Sequence, residues 1–177
     1  MAESLKGDLF DLEAIQQEGF TSMPDPFFGE DLDAEPEGEK YIVFQIGDLA
    51  CAIPADNVSE VVRMLPLTEV PGLPSGYLGI ANLRGDILTI VDPHALLNIS
   101  SEIPLAKSKL IVLSIPGIGK NVAFKVDRLR EIMVFADEMI GRPASTENRH
   151  VSGIVEQANG SVKILNVQDI INSISLR

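Results

Sequence analysis

The chain has 177 residues, 45% of them apolar, so it is long enough to bury a core of ordinary size. Trp is absent and Val, Ile and Leu supply most of the apolar side chains, which favours a β-rich interior. No apolar run reaches the length of about 18 residues that spans a bilayer, and no signal-peptide pattern opens the chain. The single cysteine, Cys51, lies in the apolar run LACAI and indicates a reducing compartment. We therefore expect a cytoplasmic protein without direct membrane insertion.

The net charge of −12 is concentrated at the N-terminus. Residues 1–39 hold twelve acidic side chains and one basic one, a charge of −11, and the remaining 14 acidic and 13 basic side chains sum to −1. We predict an acidic, largely disordered extension over residues 1–39. Within it, Leu5, Leu9, Leu12 and Ile15 fall at roughly helical spacing. This segment is either a helix lying loosely on the domain or a docking segment that folds on a partner.

The folded part is predicted to begin at Lys40 with a hairpin, because the apolar run YIVFQI and the run LACAI flank a Gly-Asp turn. Next, PADNVSEVVRM predicts a short helix, capped by Asp56, with Val58, Val61 and Val62 on one face and Glu60 on or near the other. LTEV predicts a short strand before a Pro-Gly turn.

The stretch GYLGIANLRGDILTIVD, residues 76–92, predicts a second and central hairpin. Gly79 and Gly85 are assigned structural turn roles. Asp92 is expected to cap a short helix over PHALLNI. Asn82 and Arg84 lie at or near the tip, where apolar strands anchor them and a partner can reach them.

The plan then repeats. KLIVLSI resembles YIVFQI, DRLREIM matches DNVSEVV by residue type, and VSGIVEQANGSVKILNVQDII mirrors the central hairpin, with Gly153 matching Gly79 at an offset of 74. We predict an all-β fold with short helices, built from two small β-barrels of about five strands each. The approximate halves are 40–99 and 109–177, with possible strand crossover, a shared core and a binding groove between the barrels.

Enzyme chemistry is not indicated. One cysteine and two separated histidines supply too few ligands for a zinc site, and PGIGK departs from a phosphate loop. Hence no catalytic residue, metal or cofactor is expected. Basic residues intersperse with acids and aliphatics, which indicates solvated faces and no nucleic-acid binding; they are Lys107, Lys109, Lys120, Lys125, Arg128 and Arg130.

A protein-binding surface remains. Glu60 and Arg84 are charged residues on apolar scaffolds, with Val58 and Leu83 beside them in the sequence, and such a mixed patch can grip a partner helix. The alternative is an intramolecular role, in which Arg84 ties down a neighbouring group.

The central stretch GIANLRGDILTIVD, with DNVSEVVR before it and a short helix after it, resembles the signature of the CheW family of chemotaxis coupling proteins. The resemblance covers about residue 40 to the C-terminus and implies two SH3-like barrels without catalytic activity. It implies that Val58, Glu60 and Arg84, with Asn82 and Leu83, contact the helical hairpin at the cytoplasmic tip of a chemoreceptor.

The resemblance also implies binding to the regulatory domain of a CheA-type histidine kinase, with further CheW-like domains as additional candidate partners, at membrane-associated receptor arrays. Two features depart from the family: Pro93-His94 replaces the usual Leu and frequent Arg after Asp92, and the acidic extension is added. They suggest a paralogue for pilus-driven or light-directed movement. A regulatory module that uses the groove for a single protein or a small ligand is the alternative function.

Overall fold

The structure is a computed structural model that describes residues 37–117, 121–144 and 148–175. The expected extension, with its apolar stripe at residues 5–15, lies outside these ranges except for residues 37–39. The described strands and helices are β1 Glu39–Ile46, β2 Leu49–Pro54, β3 Val58–Arg63, β4 Tyr77–Leu83, β5 Asp86–Val91, α1 Pro93–Leu97, β6 Lys109–Leu113, β7 Val122–Val126, β8 Arg128–Phe135, β9 Ile140–Gly141, β10 Val151–Gln157, β11 Gly160–Leu165 and α2 Val167–Ser175.

The strands form two sheets, which confirms the predicted all-β fold. Sheet 1 has the order β8-β1-β2-β11-β10-β9, and sheet 2 has the order β3-β6-β7-β5-β4. Neither sheet corresponds to one half of the sequence. Each half gives its first two strands to one sheet and its remaining strands to the other, and the parallel pairs β2–β11 and β5–β7 help to join the halves.

The internal repeat is visible in this strand order. When short β9 is left out and the other strands of each half are numbered first to fifth, both sheets have the order third, first, second, fifth, fourth. In each sheet the first and second strands come from one half and the other three from the other half. Short β9 extends sheet 1 beside β10, at Ile154. Its counterpart in sheet 2 is a single bridge between Thr68 and Ile80, so LTEV forms one bridge and not the predicted strand.

Both sheets curl until their outer strands approach each other. Arg84 follows β4 and Glu60 lies on β3, at opposite ends of the order of sheet 2, yet their side chains are 3.2 Å apart. In sheet 1 the amide of Gln157 on β10 donates to the sulfur of Met133 on β8 at 3.4 Å. These contacts across the order agree with two small barrels, barrel 1 from sheet 1 and barrel 2 from sheet 2.

Among the described residues, three apolar clusters fill this architecture. One lies in barrel 1, with Phe135 and Val155 fully buried, and one lies in barrel 2, with Ile90 and Leu110 fully buried. The third takes residues from both sheets and from α2, including fully buried Phe124; its other members include Phe44, Ile53, Val126 and Ile170. The barrels therefore share a core, as the sequence predicts.

The predicted helix over residues 54–64 is wrong. A 3₁₀ turn at Ala55–Asn57, without a side-chain cap from Asp56, leads into strand β3, so Glu60 lies on a strand. DRLREIM likewise lies mainly in strand β8. Valine is β-branched and fits a pleated sheet well. A bulge between Val58 and Glu60 breaks the alternation of the strand, and this break produces the helix-like spacing of the valines.

The three residues assigned structural roles lie at a bulge, in a hairpin turn and at a helix cap. Gly79 is not at a turn: it sits at a bulge in β4 with φ 134°, and a Cβ there would overlap the carbonyl oxygen of Thr68. Gly85 is in the hairpin turn, with φ 101°. The Asp92 side chain caps α1 by accepting from the backbone N–H of His94 at 3.1 Å.

Candidate partner-binding site

The tip of the β4–β5 hairpin presents Arg84 to solvent. Leu83 pairs with Asp86, so the loop is the dipeptide Arg84-Gly85, and both residues have positive φ, 54° and 101°. Two positive φ values match the right-handed twist of a two-residue hairpin. Asn82 stabilises the tip, because its Oδ1 accepts from the backbone N–H of Gly85 at 3.1 Å. The Arg84 side chain is 74% exposed.

Arg84 reaches across the barrel to Glu60 on β3. Its guanidinium lies 3.2 Å from one carboxylate oxygen and 3.3 Å from the other. The Glu60 side chain is partly exposed, so water and salt screen this pair, and we expect it to contribute only about 0.2–1 kcal/mol to stability. The ion pair therefore contributes little to the stability of barrel 2, and its main effect is to orient two charged side chains at the surface.

The two apolar residues of the predicted patch are half-buried. Val58 begins β3 and packs against the core shared by the barrels, whereas Leu83 packs against the core of barrel 2. The structure directly joins Glu60 to Arg84, and places Asn82 and Leu83 on the same hairpin. Val58 lies two residues before Glu60, at the bulge.

An apolar groove of about 220 Å³ lies between the barrels. Its lining comes from β1 and β8 of barrel 1 and from β3 of barrel 2; the residues are Ile42, Val43, Val61, Leu129, Arg130, Glu131 and Ile132. Ile132 is 67% exposed and Leu129 is 40% exposed, so the β8 side of this groove leaves adjoining apolar surface open to solvent. Strand β3 carries both Val61 of the groove and Glu60 of the ion pair, at successive positions whose side chains leave opposite faces of the strand.

Sequence reasoning missed Leu129 and Ile132 as site residues, although a signal was present. The repeat equates Ile132 with Val61 and Leu129 with Val58, so groove residues on β8 are counterparts of residues on β3. Predicting a helix for the β3 segment obscured this relation. On two equivalent outer strands, Val61 and Ile132 line one groove from different barrels.

Two negative observations concern only residues 37–117, 121–144 and 148–175. Among them no group of three His, Cys, Asp or Glu side chains is arranged to hold a metal ion. None of the helices in this part of the chain has the length and apolar character needed to cross a membrane.

Comparison with known proteins agrees with this architecture. The family model of the CheW-like domain matches residues 40–175. The chain is 33% identical over 139 residues to the protein FrzA of Myxococcus xanthus, an alignment covering 76% of this chain and 83% of FrzA. It is 28% identical over 135 residues to the chemotaxis protein CheW of Helicobacter pylori, covering 75% and 81% of the two chains.

Among solved structures, the scaffolding protein TtCheW from Thermoanaerobacter tengcongensis has the same fold, with a TM-score of 0.68, 23% identity and coverage of 78% of this chain and 91% of its own. The family match spans most of the chain, and the central hairpin carries the motif that predicted it. The chain therefore belongs to the CheW family of chemotaxis coupling proteins.

Proposed function

We propose that this protein is a non-catalytic adaptor that couples chemoreceptors of the methyl-accepting type to a CheA-type histidine kinase in a bacterial signalling array. Membership of the CheW family supports the general role. The groove between the barrels supports a surface that recognises a helix, and one of its lining strands, β3, also carries Glu60 of the charged pair.

The observation that carries the proposal is the exposed apolar lining of the groove. A helical hairpin presents an apolar stripe, and burying a largely exposed Ile132 under it contributes on the order of 1–2 kcal/mol. We infer that the cytoplasmic tip of the receptor lies along the groove. Arg84 and Glu60 set its register, because a mismatched charge there costs binding energy.

The remaining predicted residues have supporting roles in this proposal. Val58 and Leu83 provide apolar contact at the margin of the groove, and Asn82 holds the hairpin tip in place through Gly85. We assign the kinase regulatory domain to the ends of the barrels, where further CheW-like domains can also bind. The protein then acts on the cytoplasmic side of membrane-associated arrays, held there by its partners.

The test is formation of a ternary complex. The full chain is mixed with a soluble cytoplasmic receptor fragment and a kinase regulatory domain, and the masses of the species are measured by size-exclusion chromatography with light scattering. An adaptor forms a species that contains all three components. Binding of only one component at saturating concentrations contradicts the proposal and favours a regulatory module with a single partner.

A further inference from the structure

Four ionisable side chains, three of them buried, meet where the chain crosses from β7 in barrel 2 to β8 in barrel 1. They are Asp92 and His94 at the start of α1, Lys125 on β7 and Asp127 before β8. His94, Lys125 and Asp127 are almost fully buried. Lys125 was expected on a solvated face; it is buried because its Nζ lies 3.9 Å from Asp92 and 3.6 Å from Asp127.

The imidazole of His94 meets a carboxylate at each ring nitrogen. Nδ1 is 2.6 Å from Oδ1 of Asp92, and Nε2 is 2.9 Å from Oδ2 of Asp127. A neutral imidazole has one N–H donor and one lone pair, so it would point that lone pair at a carboxylate oxygen. Only the imidazolium donates at both positions, and it also balances the charge: two cations face two anions.

Asp127 connects this cluster to the structure around it. It accepts hydrogen bonds from the backbone N–H of Gly47 and the hydroxyl of Ser101, both at 2.8 Å. Its own backbone N–H donates to the carbonyl of Gln45 at 3.0 Å. The residue thus joins the β1–β2 turn, the segment after α1 and the start of β8, the strand whose residues 129–132 line the groove.

We propose that His94 is a protonated pin that fixes the start of β8 to α1, and that its deprotonation at alkaline pH loosens this wall of the groove. Within the described residues, the charged groups in contact with its imidazole are Asp92, Asp127 and Lys125, whose Nζ is 3.5 Å from Nδ1. The role of His94 in fixing β8 to α1 does not depend on the proposed function. Its effect on a partner rests on the proposed docking in the groove.

Electrostatics supports this assignment. Burial by itself lowers the pKa of His94, but the hydrogen bonds to Asp92 and Asp127 outweigh burial and raise the pKa above its ordinary 6.5. A raised folded-state pKa stabilises the fold fully below pH 6.5, and this stabilisation is lost as the pH rises through the folded-state pKa. Burial raises the pKa of both aspartates, yet the hydrogen bonds from His94 lead the effects that lower it below 3.8. Their contribution is therefore lost only as the pH falls into the acid range.

The direct test is a pH titration of the full chain followed by long-range ¹H–¹⁵N NMR of the imidazole nitrogens. The chain has two histidines, and His150 serves as the internal control, since its Nδ1 faces the single carboxylate of Asp169 at 2.7 Å. We expect His94 to carry protons on both nitrogens at pH 6.5 and to titrate above it. Asp127→Asn should move the His94 midpoint to lower pH, and the matched variant Asp169→Asn should leave it in place.

Two outcomes would contradict the proposed role of His94. His94 present as one neutral tautomer at pH 6.5, or a His94 midpoint that Asp127→Asn leaves unchanged in a folded variant, excludes it. If Asp127→Asn does not fold, the wild-type titration decides alone. The effect on the groove is tested by the affinity for the receptor fragment, which should weaken across the pH interval in which His94 titrates. A constant affinity there refutes that effect, whereas a chain that binds no receptor at any pH contradicts the proposed function and leaves the NMR result standing.

Discussion

Replacing Arg84 with alanine is expected to abolish receptor capture and to change stability very little. The side chain is 74% exposed, and its ion pair with Glu60 is partly screened, so the loss is about 0.2–1 kcal/mol. For a domain of this size, such a loss lowers the melting temperature by no more than about 4 °C. Arginine and alanine both have a Cβ, so a backbone φ of 54° costs them a similar free energy. The turn conformation therefore adds little to the change in stability.

The assay combines a thermal melt with calorimetric titration of the receptor fragment. Arg142→Ala is the matched control, because Arg142 is also exposed but follows β9 in barrel 1. We expect the two variants to melt alike and only Arg84→Ala to lose binding. A much larger fall in melting temperature for Arg84→Ala would show that the arginine acts within the molecule, and retained affinity would refute its role at the interface.

A charge exchange separates the ion pair from the charges that a partner meets. In the double variant Glu60→Arg with Arg84→Glu, the 3.2 Å pair can form again with its ends reversed. We expect the melting temperature to recover and the receptor affinity to stay low, because the partner now faces the wrong charges. Recovery of affinity would mean that only the internal pair matters.

Three further predictions concern single positions. Gly79→Ala should destabilise the protein more in urea unfolding than Gly85→Ala: both place alanine at a positive φ, which costs about 1–2 kcal/mol, but only position 79 also has a backbone carbonyl in the way. Equal costs would contradict that reason. Ile132→Asp should abolish receptor binding with little loss of stability, whereas Met139→Asp, at a half-exposed position outside the groove, should bind normally. Cys51 is fully buried, and burial raises the pKa of its thiol to about 12, so a thiol reagent at pH 8 should reach and label Cys51 only when the protein unfolds. Fast labelling of the folded chain would refute the buried position.

The hairpins and the helix after the central one could be predicted because their signals are local. Gly47-Asp48 connects β1 to β2, Arg84-Gly85 connects β4 to β5, and Asp92 caps α1 through a neighbouring amide. Each signal acts over a few residues. The repeat was also readable, since the equivalent hairpins have matching glycines 74 residues apart, Gly79 and Gly153, each at a bulge.

The rest depended on pairings between distant residues. Nothing near β3 in the sequence shows that it pairs with β6, and that pairing makes a strand of a segment with helical spacing. Arg84 was placed at a tip by its own hairpin, but its contact with Glu60 needs the curl of a whole sheet. For the same reason, the groove residues on β8 emerged only once both barrels were in place.

The exchange of strands between the halves constrains the order in which a newly synthesised chain can fold. All five strands of sheet 2 are available once β7 has emerged from the ribosome, so this sheet can assemble early. The β1–β2 hairpin is made first, yet its partners β8 and β11 are made later, and until then its apolar residues Phe44 and Ile46 lack their full cover. A chain that stalls after β7 has emerged would therefore expose the apolar side chains of the β1–β2 hairpin beside a folded barrel 2. Chaperones and proteases bind such exposed apolar segments.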